Sequence, residues 1–221
     1  MIGRLIARPE VLSFPLALCA WISMLGEAWS GGTLSCCRST PTAGDESRGW
    51  VLMVIAMMLP TATPVFRSVS NRSYRSRRWR SVVGCMLGYL AVWMAPLPVL
   101  LAIRLHPVGT AWWLPTLSCA LGAVWALHPA RRRWFAKCHR EIPLCPVGIG
   151  ADRDAIKQGV LTATGCVAGC WPLMLACAFT GHDLVMMAGG TALAFHERRA
   201  FRYEPTMLVA AASALGLWTC L

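Results

Sequence analysis

Long apolar runs separated by short polar stretches set the pattern of this chain. A hydrocarbon layer of about 30 Å is crossed by roughly 20 apolar residues in a helix, and the runs approach that length. The first covers residues 11–29 and carries Glu27 near its far end. The second, 50–66, reads WVLMVIAMMLPTATPVF. The third and fourth cover 81–103 and 111–127, the fifth 159–180, the sixth 184–195 and the seventh 206–221. This pattern predicts an all-α fold: a polytopic transmembrane helix bundle of about seven spans, one integral membrane domain over residues 1–221. The first run follows a short basic stretch, as a signal peptide would. It is long and no small-x-small cleavage site follows, so it reads as a retained helix. The sixth is short, with Gly189 and Gly190 in its middle. Pro96 and Pro98 interrupt the third, and neighbouring helices must absorb that break.

The polar stretches then orient the bundle. Eighteen of the 21 Lys and Arg fall on one side of a seven-span chain, and Arg38, Arg48 and Arg104 on the other. The positive-inside rule places the N-terminus in the cytoplasm and the C-terminus outside a cell inner (plasma) membrane. Composition agrees: 56% of residues are hydrophobic and 14% charged, whereas soluble domains average about 25% charged. The formal charge of +11 raises nucleic acid as a partner. Its alternation between the two sides fits topology and a lipid bilayer instead, and no nucleic acid is expected. Most of the eleven cysteines lie inside apolar runs, where they do not suggest a disulfide scaffold; Cys36 and Cys37 stand as a redox-exposed pair in a loop.

The candidate chemistry centres on Gly165–Cys177, GCVAGCWPLMLAC. At roughly 100° per residue, Cys166, Cys170, Met174 and Cys177 fall within about 80° of one another on a helix. Pro172 lacks an N–H, which frees the carbonyl of Ala168 and predicts a kink. In the second run Trp50, Met53, Met57, Pro60 and Pro64 share a face, with Met58 turned away from Met57. Thioethers and thiolates suit soft metals, notably Cu(I); methionine is also ordinary adaptable filler. Depth brings the two sulfur stripes level if the helices are neighbours. Glu27, His182 and Asp183 lie at the external face, where they would capture a cation or form a solvated turn. Glu197 lies at the inner face with basic neighbours, as an ion-paired helix end would. Cys138, His139 and Cys145 form no recognised zinc pattern. No nucleotide-binding glycine loop, serine-hydrolase elbow or zincin helix is visible.

The run Trp50-x-x-Met53-x-x-Ala56-Met57-Met58-x-Pro60, with Pro64 following, resembles a signature of the predicted metal-binding integral membrane proteins, the domain of unknown function 2182 family. Cys166-x-x-x-Cys170-Trp171-x-Leu173-Met174 resembles that family's cysteine-tryptophan-leucine-methionine segment, and Gly181, Met187 and Glu197 match its layout. Gly169 stands where the family often has a second cysteine. In the inner loop only Cys138 matches a pair of family cysteines, with Trp134 near the other position. The resemblance implies a polytopic membrane protein that binds metal, of a kind often labelled copper chaperone.

The resulting expectation is a membrane protein that binds a soft transition metal, copper as Cu(I) ahead of zinc, for handling or delivery to a metal-accepting protein. Its ligands are expected from Cys166, Cys170, Met174, Met53 and Met57, with Cys177, Met58, His182, Asp183, Glu27 and Glu197 as further candidates. No residue is assigned a catalytic role, and an enzyme is the lesser expectation. A membrane redox enzyme using thiols or copper, and a structural or assembly subunit of a membrane complex, are the alternatives.

Overall fold

The computed structural model of the chain describes residues 8–31, 42–106, 111 and 113–200, and among them every regular element is helical. A 3-10 turn, Pro9–Leu12, leads into α1 (Ser13–Gly31). Ala17, Ala20 and Met24 recur at helical spacing and turn inward, while Phe14, Leu18, Ile22 and Leu25 are exposed. The apolar exterior is what a lipid-facing helix requires.

α2 (Ala43–Met53) starts seven residues before the expected second run, because Thr42 and Asp45 form a reciprocal capping box. The Asp45 N–H donates to Thr42 Oγ1 at 3.2 Å, and the Thr42 N–H donates to Asp45 Oδ2 at 3.1 Å. The helix passes into a π turn, Val54–Met58, and a last stretch, Leu59–Thr61, before α3 (Thr63–Arg72) departs at 59°. Pro60 and Pro64 lack the N–H groups a straight helix would need. Hydroxyls satisfy carbonyls at the break: Thr61 Oγ1 donates to the Met58 carbonyl (2.8 Å) and Thr63 Oγ1 to that of Pro60 (2.7 Å). The expected straight run 50–66 is therefore a bent pair.

α4 (Arg78–Met94) and α5 (Leu97–Arg104) together form one long apolar segment interrupted at Ala95–Pro96. They are followed by α6 (Trp113–Leu127), α7 (Pro129–Cys138), α8 (Gly148–Phe179) and α9 (Leu184–Ala200). α8 is the axis of the molecule and packs against α4, α6, α7 and α9. Its approach to α4 depends on glycine. A Cβ on Gly159 would lie 2.0 Å from the Cys85 carbonyl oxygen, and one on Gly88 would lie 2.5 Å from that of Ile156.

α8 runs unbroken through Pro172. The Ala168 carbonyl that Pro172 leaves without its helical donor accepts the indole N–H of Trp125 at 3.0 Å. Arg131 Nε donates to the next carbonyl, Gly169, also at 3.0 Å. Neighbouring helices thus supply what the proline withholds.

Among the described residues three helical segments are long and apolar enough to cross a membrane, Pro9–Trp29, Arg78–Arg104 and Gly148–Phe179, and the bent α2–α3 pair is a fourth if its two arms count as one span. Two of the seven expected spans fall short. α6 has 15 residues, about 22 Å at 1.5 Å per residue. α9 has 17 residues and ends in Glu197, Arg198, Arg199 and Ala200. The seventh, 206–221, lies outside the described residues, as do Cys36, Cys37 and Cys220. The expected basic loop 128–158 holds α7 and the polar first turns of α8.

Candidate metal centre

The core is rich in thioethers: Met24, Met53, Met57, Met58, Met86, Met174, Met186 and Met187 are all buried. Where the π turn passes α8, one of them meets a thiol. Cys166 Sγ and Met58 Sδ lie 4.0 Å apart. The Tyr89 hydroxyl donates to the Met58 carbonyl at 3.2 Å and stands 3.4 Å from Cys166 Sγ. Cys170 is one helical turn along α8, on the same side, and its thiol interacts with that of Cys166. Met58, Cys138, Cys166, Cys170 and Glu197 line one narrow cavity of about 10 Å³, room for about one water-sized body. Gly165 lets α7 press against this wall: a Cβ there would lie 2.9 Å from Cys138 Sγ and from the Trp134 carbonyl oxygen.

A buried ion pair closes the cavity. Arg131 Nη1 and Nη2 donate to the two carboxylate oxygens of Glu197, each at 2.8 Å, and both residues are more than nine-tenths buried. With its Nε on Gly169, Arg131 ties α7 to both α8 and α9. A second cavity of about 40 Å³ adjoins on the far side of Cys170, lined in part by Trp125, Arg131, Pro172 and Glu197.

The other candidates gather at the opposite end of α2 and α8. Glu27 is exposed and ion-paired with Arg48. Asp183 caps α9, its Oδ1 accepting the N–H groups of Val185 and Met186 at 3.0 Å each. His182 adopts a φ of 62° in the α8–α9 turn and rests on Gly49, where an added Cβ would lie 2.6 Å from the imidazole. Burial holds that imidazole below its ordinary pKa; Glu46 pulls it up and Arg104 pushes it down. Glu46 itself is 4% exposed and takes Arg104 Nη2 on Oε1 at 2.7 Å.

The structure thus brings Cys166, Cys170, Met58 and Glu197 together. Met53, Met57 and Met174 are wholly or almost wholly buried but do not line the thiol cavity. Cys177 is buried further along α8, toward Cys119 of α6. Helical spacing turned Met58 away from the methionine stripe, and the π turn explains the difference: one added residue in the turn rotates every later side chain. Sequence reasoning missed Cys138, Tyr89 and Arg131 as neighbours of the thiols. For Cys138 a signal existed in the inner-loop cysteine; for the other two there was none. Among the described residues no three His, Cys, Asp or Glu side chains converge as a closed metal cage would, and the Met58 thioether is the further soft donor beside the Cys166 thiol.

Comparison with known proteins gives one match. A model of the family PpoB2, described as copper chaperone, matches residues 48–221. That stretch includes every residue lining the thiol cavity. No curated protein and no solved structure matches the chain.

Proposed function

Since the chain belongs to the PpoB2 copper chaperone family, we propose that it holds Cu(I) between Cys166, Cys170 and Met58 and passes it to an acceptor protein. The observation that carries this reading is the convergence of two thiols and a thioether on one small cavity. Soft sulfur ligands favour Cu(I) over the harder divalent ions. A structural zinc site takes four nitrogen or sulfur ligands, and fewer than that meet here among the described residues.

Copper is cargo and stays Cu(I) throughout. Each cysteine binds as the thiolate, so each releases its proton as the ion enters. Three sulfur donors leave a coordination position for a ligand of the acceptor, which suits a carrier better than a closed cage. Arg131 positions the wall by holding the Gly169 carbonyl, immediately before Cys170, and Glu197 on the facing helix. The same reading places the protein in the inner membrane, with its N-terminus in the cytoplasm. Long apolar segments and the one-sided arginines support that placement.

The test is a Cu(I) titration of the detergent-purified full chain against a chromophoric chelator. Cys166→Ser/Cys170→Ser is expected to abolish the tighter binding while the helical circular-dichroism signal is retained. A double variant that competes for copper as well as wild type refutes the assignment.

A further inference from the structure

A second set of soft donors lies along the seam between α2 and α9. Two close approaches fix its register: His182 against Gly49, and the Met57 methyl group against Gly190, where an added Cβ would lie 2.9 Å away. Both contacts join residues at the same sequence offset. The two segments therefore run side by side in one direction, with Met53 about one turn below Gly49 and Met186 about one turn below His182. Both methionines are completely buried.

At the head of this seam, polar valence is left unused. Among the described residues His182 Nε2 is buried with no hydrogen-bond partner, and so is Glu46 Oε2. Unsatisfied groups of this kind are costly to bury and call for an explanation. The φ of 62° at His182 is one that histidine tolerates better than most residues, and Gly49 clears the space it occupies.

We propose that His182 and the Met53–Met186 pair form a Cu(I) acquisition site, from which the ion descends past Met57 to Met58, Cys166 and Cys170. The inference rests on the copper reading above. It extends that reading by naming where cargo is first taken. Glu46, one oxygen held by Arg104, offers its other oxygen as an acceptor at the mouth; the imidazole nitrogen supplies the first bond and the thioethers the next. Descent is ligand exchange alone: no electron moves, and the metal stays Cu(I).

Stoichiometry separates this from a packing seam. The full chain is titrated with Cu(I) against a chromophoric chelator and is expected to take two ions. His182→Asn/Met186→Leu should take one, with the tighter affinity unchanged; asparagine tolerates the same backbone and leucine conserves the packed volume. Met53→Leu alone, which leaves the turn intact, should weaken the second ion on the order of tenfold or more. Cys166→Ser/Cys170→Ser should keep one weaker ion whose X-ray absorption fine structure shows an imidazole nitrogen, lost on adding His182→Asn. Two ions retained by His182→Asn/Met186→Leu overturn the proposal. A wild type that takes one ion, lost in the double-cysteine variant, overturns it while leaving the carrier reading intact. A wild type that takes none overturns both.

Discussion

Two buried carboxylates, Glu197 beside the thiols and Glu46 near His182, are treated differently. At the thiol end Glu197 receives two N–H groups from Arg131, whose Nε is spent on the Gly169 carbonyl. At the histidine end Glu46 is held by Arg104 through one oxygen, and among the described residues its other oxygen and the His182 Nε2 go without a partner. A fully satisfied network is rigid and specifies one geometry, whereas a partly satisfied one leaves binding capacity in reserve. The thiol end is thus built to hold its shape, the histidine end to accept something.

The sharpest way to break this comparison is to remove Arg131. Arg131→Ala leaves Glu197 charged and alone in a buried site, a loss of about 3–5 kcal/mol, and strips Gly169 of its donor. Thermal unfolding followed by circular dichroism should show the largest drop of any variant considered. Arg131→Met/Glu197→Met removes both charges together and should recover most of that loss, because the desolvation cost goes with the pair. If the double variant is no better than the single one, the salt bridge is not what holds α7 and α9 on α8.

Two glycines probe the same contrast at smaller cost. A Cβ on Gly165 meets backbone, the Cys138 nitrogen and the Trp134 carbonyl oxygen, both at 2.9 Å. Neither can swing aside, so Gly165→Ala should destabilise by about 1–3 kcal/mol through overpacking and widen the thiol cavity. The three atoms nearest a Cβ on Gly49 all belong to the His182 side chain, which can rotate out. Gly49→Ala should therefore change the melting temperature little and affect copper stoichiometry instead. Equal losses of stability in the two variants would contradict the distinction between a rigid end and an open one.

Helical periodicity and apolar length revealed the all-helical class and the sulfur-bearing stripe of α8, while the family came from the likeness of the Trp50–Pro60 and Cys166–Met174 segments to its signatures. Periodicity and length could not show the π turn, since one extra residue between Val54 and Met58 leaves composition and spacing unchanged while turning Met58 toward Cys166. Nor could they show that Arg131 in a basic stretch is a buried strut, because an arginine cluster has the same appearance whether solvated or paired. His182 stood out as a cation candidate, but Glu46 and Met186 were obscure for a related reason: their meaning lies in register across two distant segments. Span counting misjudged α6 and α9 because hydropathy measures apolar content more readily than helix length.

The smallest expected effect concerns the carbonyl that Pro172 releases. Trp125→Phe removes the indole N–H that reaches the Ala168 oxygen while keeping an aromatic ring against α8. A single neutral hydrogen bond is worth about 0.5–1.5 kcal/mol, so a shift of that size is expected. Pro172→Ala restores a backbone N–H that can serve Ala168 directly. In that background Trp125→Phe should cost less, and the cycle of four proteins measures the difference as a coupling energy. Additive losses would mean that Trp125 acts by packing alone and that the proline needs no help from α6. A positive coupling would establish that α8 passes the thiol end straight enough to keep Cys166 and Cys170 in line because a neighbouring helix completes its hydrogen bonding.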